Sequence, residues 1–138
     1  MKKLFLSFIL LCAVGCGQKM VSVSGTVTLD GKPIQDCRVL FQAKRTGESE
    51  IPVVDASGLT NSEGQFQLSS LGERIKLGAI PGDYVVKFGW CDPNPPLSES
   101  ETPTPPPYQI PQNMQLQGLP FTIPKGGTSN ANFDLKSK

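Results

Sequence analysis

The sequence holds four cysteines and no histidine. A serine or cysteine nucleophile is ordinarily activated by a neighbouring imidazole, and a mixed Cys/His zinc site needs one as a ligand. Composition alone therefore excludes Ser-His-Asp and Cys-His catalysis, imidazole-bound zinc and a histidine pH switch. The cysteines are singly placed and form no zinc-ligand cluster, so neither a metal nor a cofactor is expected. Cys37 and Cys91 could instead pair in an oxidising compartment. Closing a loop of about 55 residues would contribute roughly 4 kcal/mol in the chain-entropy model. Strand phase opposes this. Cys37 falls on the face of Val39 and Phe41, and Cys91 on the face of Lys87, opposite Tyr84. A bulge at Gly89 would bring both sulfurs to one side. Without it they are separate thiols, with Cys37 buried. Both readings stand at this level.

Glu48, Glu50 and Asp55 share one polar stretch. Paired carboxylates cleave glycosidic bonds when a cleft holds them at a set separation. Nothing around these three predicts a cleft, and they read as a solvated loop. Asn61-Ser62-Glu63-Gly64 lacks the alternating Asp and distal Glu of a calcium loop and reads as a turn. Trp90 and Tyr108, separated by many prolines, are the combination that suggests a ligand surface for a glycan or peptide. Trp90 is also in phase with core residues, where it would cap the core's edge. Pro103 to Pro107 fits either a PxxP-like ligand for a partner or a stiff spacer.

The N-terminus reads as an address. Lys2 and Lys3 precede an apolar run from Leu4 to Val14, which ends at Gly15-Cys16. A basic start, a short apolar stretch and a small-residue boundary make a secretory signal. The run is shorter than the roughly 20 apolar residues a spanning helix needs. Ordinary cleavage and a retained anchor are both compatible with these residues. Ala13-Val14-Gly15-Cys16 is similar to the lipobox of bacterial lipoproteins, with Ala13 where that pattern prefers Leu. The resemblance implies a signal peptide over 1–15 and lipidation of Cys16, with 16–20 as a tether. Removing 1–15 leaves eleven basic and twelve acidic side chains, a net charge of −1. Electrostatic attraction to nucleic acid or another polyanion is not expected.

The elements that must position Trp90 and Tyr108 are short strands. Length fits one domain, 21–138. Val21 to Leu29 alternates apolar or Gly with Ser or Thr, the period of a strand with one buried face. Asp30-Gly31 turns the chain, and Cys37 to Ala43 forms the next strand, its alternation broken by Leu40. A loop follows over 44–57, with a short strand at Pro52 to Val54. Gly58 to Thr60 and Gln65 to Leu68 flank the turn at Asn61 and predict a hairpin. Asp83 to Trp90 is a strong strand, with Tyr84, Val86, Phe88 and Trp90 in phase. Residues 92–111 form a Pro-rich insertion, extended because each Pro fixes φ and removes a donor. A last hairpin is expected from Phe121 to Leu135, turning at Pro124 to Gly127, with odd residues inward. No helix is expected beyond one turn at Ser69 to Arg74.

Three stretches in this order resemble the carboxypeptidase regulatory-like domain. They are Val23-Ser24-Gly25-Thr26-Val27-Thr28-Leu29-Asp30-Gly31-Lys32-Pro33-Ile34, Thr60-Asn61-Ser62-Glu63-Gly64-Gln65-Phe66-Gln67-Leu68 and Gly78-Ala79-Ile80-Pro81-Gly82-Asp83-Tyr84-Val85-Val86-Lys87. Leu119 to Ile123 and Asn132 to Leu135 are similar to the tail of small bacterial lipoproteins built on that domain. The resemblance implies an all-β fold, a seven-stranded Greek-key β-sandwich of transthyretin (prealbumin) type. Hydroxyisourate hydrolases of that fold rely on histidines this chain lacks. The expected function is a non-catalytic cell-envelope lipoprotein, serving as an interaction or structural module. The alternative is a carbohydrate- or peptide-binding module using Trp90 and Tyr108. Expected partners are the membrane, through the lipid, and an envelope protein or glycan, with no nucleic acid. The expected location is outside the cytoplasm, anchored to a bacterial membrane on its periplasmic or outer face.

Overall fold

The structure is a computed structural model that describes residues 19–44, 54–72 and 74–137. The expected leader 1–15, Cys16, Glu48, Glu50 and most of the strand expected at Pro52 to Val54 lie outside the described residues. In chain order the strands are β1 (Ser24–Leu29), β2 (Lys32–Pro33), β3 (Cys37–Ala43), β4 (Ala56–Leu59), β5 (Gln65–Gln67), β6 (Ser69–Ser70), β7 (Lys76–Leu77), β8 (Gly82–Trp90), β9 (Leu119–Ile123) and β10 (Phe133–Leu135). One short helix, α1 (Gln112–Leu116), lies between β8 and β9.

The strands make two sheets around one core, an all-β sandwich. One sheet carries β1 at its centre, with β10 parallel to it and β2 and β5 antiparallel. The other runs β7-β6-β4-β3-β8-β9 and is antiparallel throughout. Alternation decides what each strand buries. Val23 and Val27 of the first sheet are fully enclosed, and so are Val39, Phe41 and Val86 of the second. The intervening Ser, Thr, Arg and Gln stay on the outer faces.

Local signals explain the tight places. Asp30 and Gly31 both take positive φ, +52° and +83°, which matches a two-residue hairpin between β1 and β2. A Cβ on Gly25 would lie 1.9 Å from the backbone oxygen of Ala131, so only glycine lets the segment before β10 lie against β1.

Both other expected hairpins are corrected. β4 pairs with β3 and β6, whereas β5 pairs with β1 in the opposite sheet. Thr60 stays with β3: its Oγ accepts from the Cys37 N–H at 2.9 Å, and its own N–H donates to the Cys37 carbonyl at 3.0 Å. The Asn61 side chain then accepts from the Glu63 and Gln65 N–H groups and turns the chain across the core. Likewise β9 pairs with β8, while β10 pairs with β1. The link between them is held to the first sheet at Thr128, whose N–H donates to the Ser22 carbonyl at 3.0 Å. The inward phase is as expected, with Ile123, Ala131, Phe133 and Leu135 buried. Ser69 to Ser70 is a strand, not a helical turn, and α1 is a helix the periodicity does not predict.

Candidate functional site

The site grows from the end of β8. Tyr84, Val86 and Phe88 point inward, and Lys87 faces out beside Leu40 of β3. Register between β3 and β8 runs without a bulge from Ala43 opposite Tyr84 to Cys37 opposite Trp90. The Cys91 N–H extends it, donating to the Asp36 carbonyl at 2.8 Å. Gly89 therefore does not bulge, and the two cysteines project from opposite faces. Both are free, the arrangement of the separate-thiol alternative. Cys37 is enclosed in the core, and burial pushes its thiol up to about 12. Cys91 is half-buried on the outer face, where Arg38 Nη2 donates to its sulfur at 3.9 Å.

The insertion after Asp92 has no regular element before α1, as its prolines predict. Two contacts hold its far end to the sandwich. Tyr108 donates its hydroxyl to the Gln35 carbonyl at 2.6 Å, and Ile110 is buried in the core. Burial raises the Tyr108 hydroxyl, and the negative forms of Cys37, Asp36 and Cys91 add to that shift. Helix α1 then follows, and Gln115 Nε2 donates back to the Ile110 carbonyl at 2.6 Å.

This path makes two clefts that meet at Trp90. The first, about 550 Å³, lies on the outer face of the six-stranded sheet between Arg38, Leu40, Lys87, Trp90, Asp92 and Gln115. The second, about 530 Å³, lies between Trp90, Tyr108, Pro106, Pro111, Gln112 and Gln115. Trp90 and Gln115 belong to both. The structure thus brings Trp90 and Tyr108 to one surface. Phase alone misses Arg38, Lys87, Asp92 and Gln115. Leu40 carried a usable signal, because an apolar residue at an outward position marks a surface that something covers. Asp92 accepts from the Asn94 N–H at 2.8 Å through Oδ1, and its Oδ2 is shielded with no protein partner among the described residues.

Asp55 is structural here: its Oδ1 accepts from the Ala43 N–H at 2.9 Å, which ties the loop before β4 to the end of β3. Among the described residues no three Cys, Asp or Glu side chains converge as metal ligands would, and no helix is long and apolar enough to cross a membrane. Compared with family models, curated proteins and solved structures, the chain gives no match.

The two thiols lead to a direct test. At pH 8, iodoacetamide should modify Cys91 in the folded chain and reach Cys37 only after denaturation. Equal labelling of both would contradict the buried position of Cys37. The pH dependence has a definite sign. Cys37 is raised from an ordinary 9.0 to about 12, so the fold favours its neutral form. That contribution is whole below pH 9 and is lost as pH rises from 9 towards 12. Tyr84 and Tyr108, raised chiefly by burial above an ordinary 10.0, act in the same direction. Thermal midpoints should fall steadily above pH 9, and a flat profile to pH 11 would contradict this.

Proposed function

We propose that this chain is an exported, lipid-anchored β-sandwich of the bacterial cell envelope, and that it acts as a non-catalytic interaction or structural module. The observation that carries the interaction role is the pair of clefts meeting at Trp90. A Pro-rich segment held by Tyr108 and Ile110 walls a surface that offers an aromatic ring, cations from Arg38 and Lys87, an amide from Gln115 and a carboxylate at Asp92. The non-catalytic reading rests on the absence of histidine from the sequence. Location rests on the basic-apolar N-terminus and Gly15-Cys16. The fold is read as a seven-stranded Greek-key sandwich of the carboxypeptidase regulatory-like, transthyretin type. Seven of the ten strands among the described residues are three residues or longer, and the links β4–β5 and β9–β10 cross between sheets, which supports that reading.

A second reading, carbohydrate or peptide binding at Trp90 and Tyr108, is favoured by the chemistry of the same clefts. An indole face packs on a sugar ring or a peptide side chain, and mixed donors and acceptors at the rim orient it. The chain has a single tryptophan, so intrinsic fluorescence reports on this surface alone. Titration with cell-wall glycan fragments and with peptides should shift Trp90 emission for one class. Trp90→Ala should weaken that binding about tenfold or more. Silence with both classes removes the second reading. In-cell crosslinking from a photoreactive residue at Trp90 then tests the first: it should capture an envelope protein, and no crosslinked partner would contradict it.

A further inference from the structure

We propose that the corner around β6 and β7 is a second membrane contact, which seats the sandwich on an anionic bilayer surface beside the lipid anchor. The inference rests on the lipid-anchored reading above. Three large apolar side chains lie open within seven residues: Leu71 is 49% exposed, Ile75 79% and Leu77 71%. The other strongly exposed apolar side chains among the described residues, such as Leu97 and Leu116, are single and scattered, as on any surface. Strand β7 is the last of its sheet, paired to β6 on one side only.

Position makes the bilayer the occupant. The N-terminal segment enters the fold at this corner: the Val21 N–H donates to the Ala79 carbonyl at 2.8 Å, and the Ala79 N–H donates back at 2.9 Å. Met20 shares a groove with Arg74, Lys76 and Ile80. Four residues separate Cys16 from Val21, so even a fully extended tether holds Val21, and with it the Ala79 end of the corner, within about 18 Å of a lipidated Cys16. Charge agrees. Lys19, Arg74 and Lys76 are exposed here, and with the one carboxylate the sequence adds at Glu73 the local balance is still +2. Each cation close to an anionic leaflet multiplies residence there about fivefold. Apolar side chains in the headgroup region with flanking Lys and Arg are the composition of an interfacial contact. The clefts at Trp90 lie at the end of β8 opposite Cys37, not at this edge, so seating the corner leaves them open.

The test uses the full chain as a bacterial host processes it, on vesicles of phosphatidylcholine, with and without phosphatidylglycerol, read by amide hydrogen exchange and by co-sedimentation. Amides of residues 71–77 should exchange about tenfold more slowly on the anionic vesicles than on the neutral ones. The variant Leu71→Ser/Ile75→Ser/Leu77→Ser, altered only at exposed positions, should lose that slowing and still sediment with vesicles. Equal exchange on both vesicle types, with the chain co-sedimenting, overturns the corner contact and leaves the anchor standing. Slowing that depends on protein concentration without vesicles also overturns it, by showing that a second copy covers the corner. Failure to co-sediment refutes the anchor reading, and the corner contact falls with it.

Discussion

Replacing Phe133 with Ala should destabilise the sandwich by about 3–5 kcal/mol, the range for removing a buried aromatic ring. Phe133 is the hub of the core. Its ring lies 5.2 Å from Phe88, 5.6 Å from Phe121, 6.2 Å from Phe41 and 6.3 Å from Phe66, centroid to centroid. Three of these neighbours come from the six-stranded sheet, and Phe66 comes from the same sheet as Phe133. Three meet Phe133 edge to face, the arrangement that aromatic quadrupoles favour. The strand that presents it is only three residues long and joins the sheet through a single parallel pairing with β1. Removing the ring therefore opens a cavity and loosens the attachment of β10 together. Against a total stability of about 5–15 kcal/mol for a domain, this loss leaves the chain near its folding threshold. Urea denaturation measures it directly. Phe133→Leu should recover part of the loss, because it refills some of the volume. A loss below about 1 kcal/mol for Phe133→Ala would show that the two sheets are not joined through this residue.

Much of the fold was legible because period-two alternation has only one physical solution in a sandwich. Val23, Val27, Val39, Phe41, Tyr84, Val86 and Phe88 all bury as their spacing requires. Pairing was less legible. Asn61-Ser62-Glu63-Gly64 has the same turn chemistry whether the chain folds back beside β4 or crosses to β1. What decides is long-range: Thr60 holds to Cys37, and Gln65 to Gln67 line up with Ser24 to Thr26. The same holds at Pro124 to Gly127. Helix α1 was missed because five residues are too few to show a period. Pro111 just before it and Gly118 just after it were the available punctuation. At the candidate site, Trp90 and Tyr108 stood out by type. The residues that complete it are ordinary surface residues in the sequence: Arg38 from β3, Lys87 from β8, Asp92 from the insertion and Gln115 from α1. Only the path of the Pro-rich segment gathers them. The opposite facing of Cys37 and Cys91 follows from the continuous β3–β8 register, and strand phase points the same way.

The other large expected effect is at Cys16. If its sulfur carries two acyl chains, the mature protein is held to the membrane far more firmly than the roughly 10⁴ M⁻¹ that one chain confers. Cys16→Ser removes the acceptor sulfur. In a variant whose leader is removed, what remains at the surface is the exposed corner of Leu71, Ile75 and Leu77 with its few cations, and salt screens the charged part of that contact. The decisive measurement is labelling of cells with a palmitate analogue, followed by fractionation with a high-salt wash, on the wild-type chain and on Cys16→Ser. The lipid-anchored reading predicts a labelled wild-type protein in the washed membrane pellet and an unlabelled variant that is either released or held there as uncleaved precursor. An unlabelled wild-type chain, or a Cys16→Ser chain that stays equally in the pellet at the cleaved size, would contradict it.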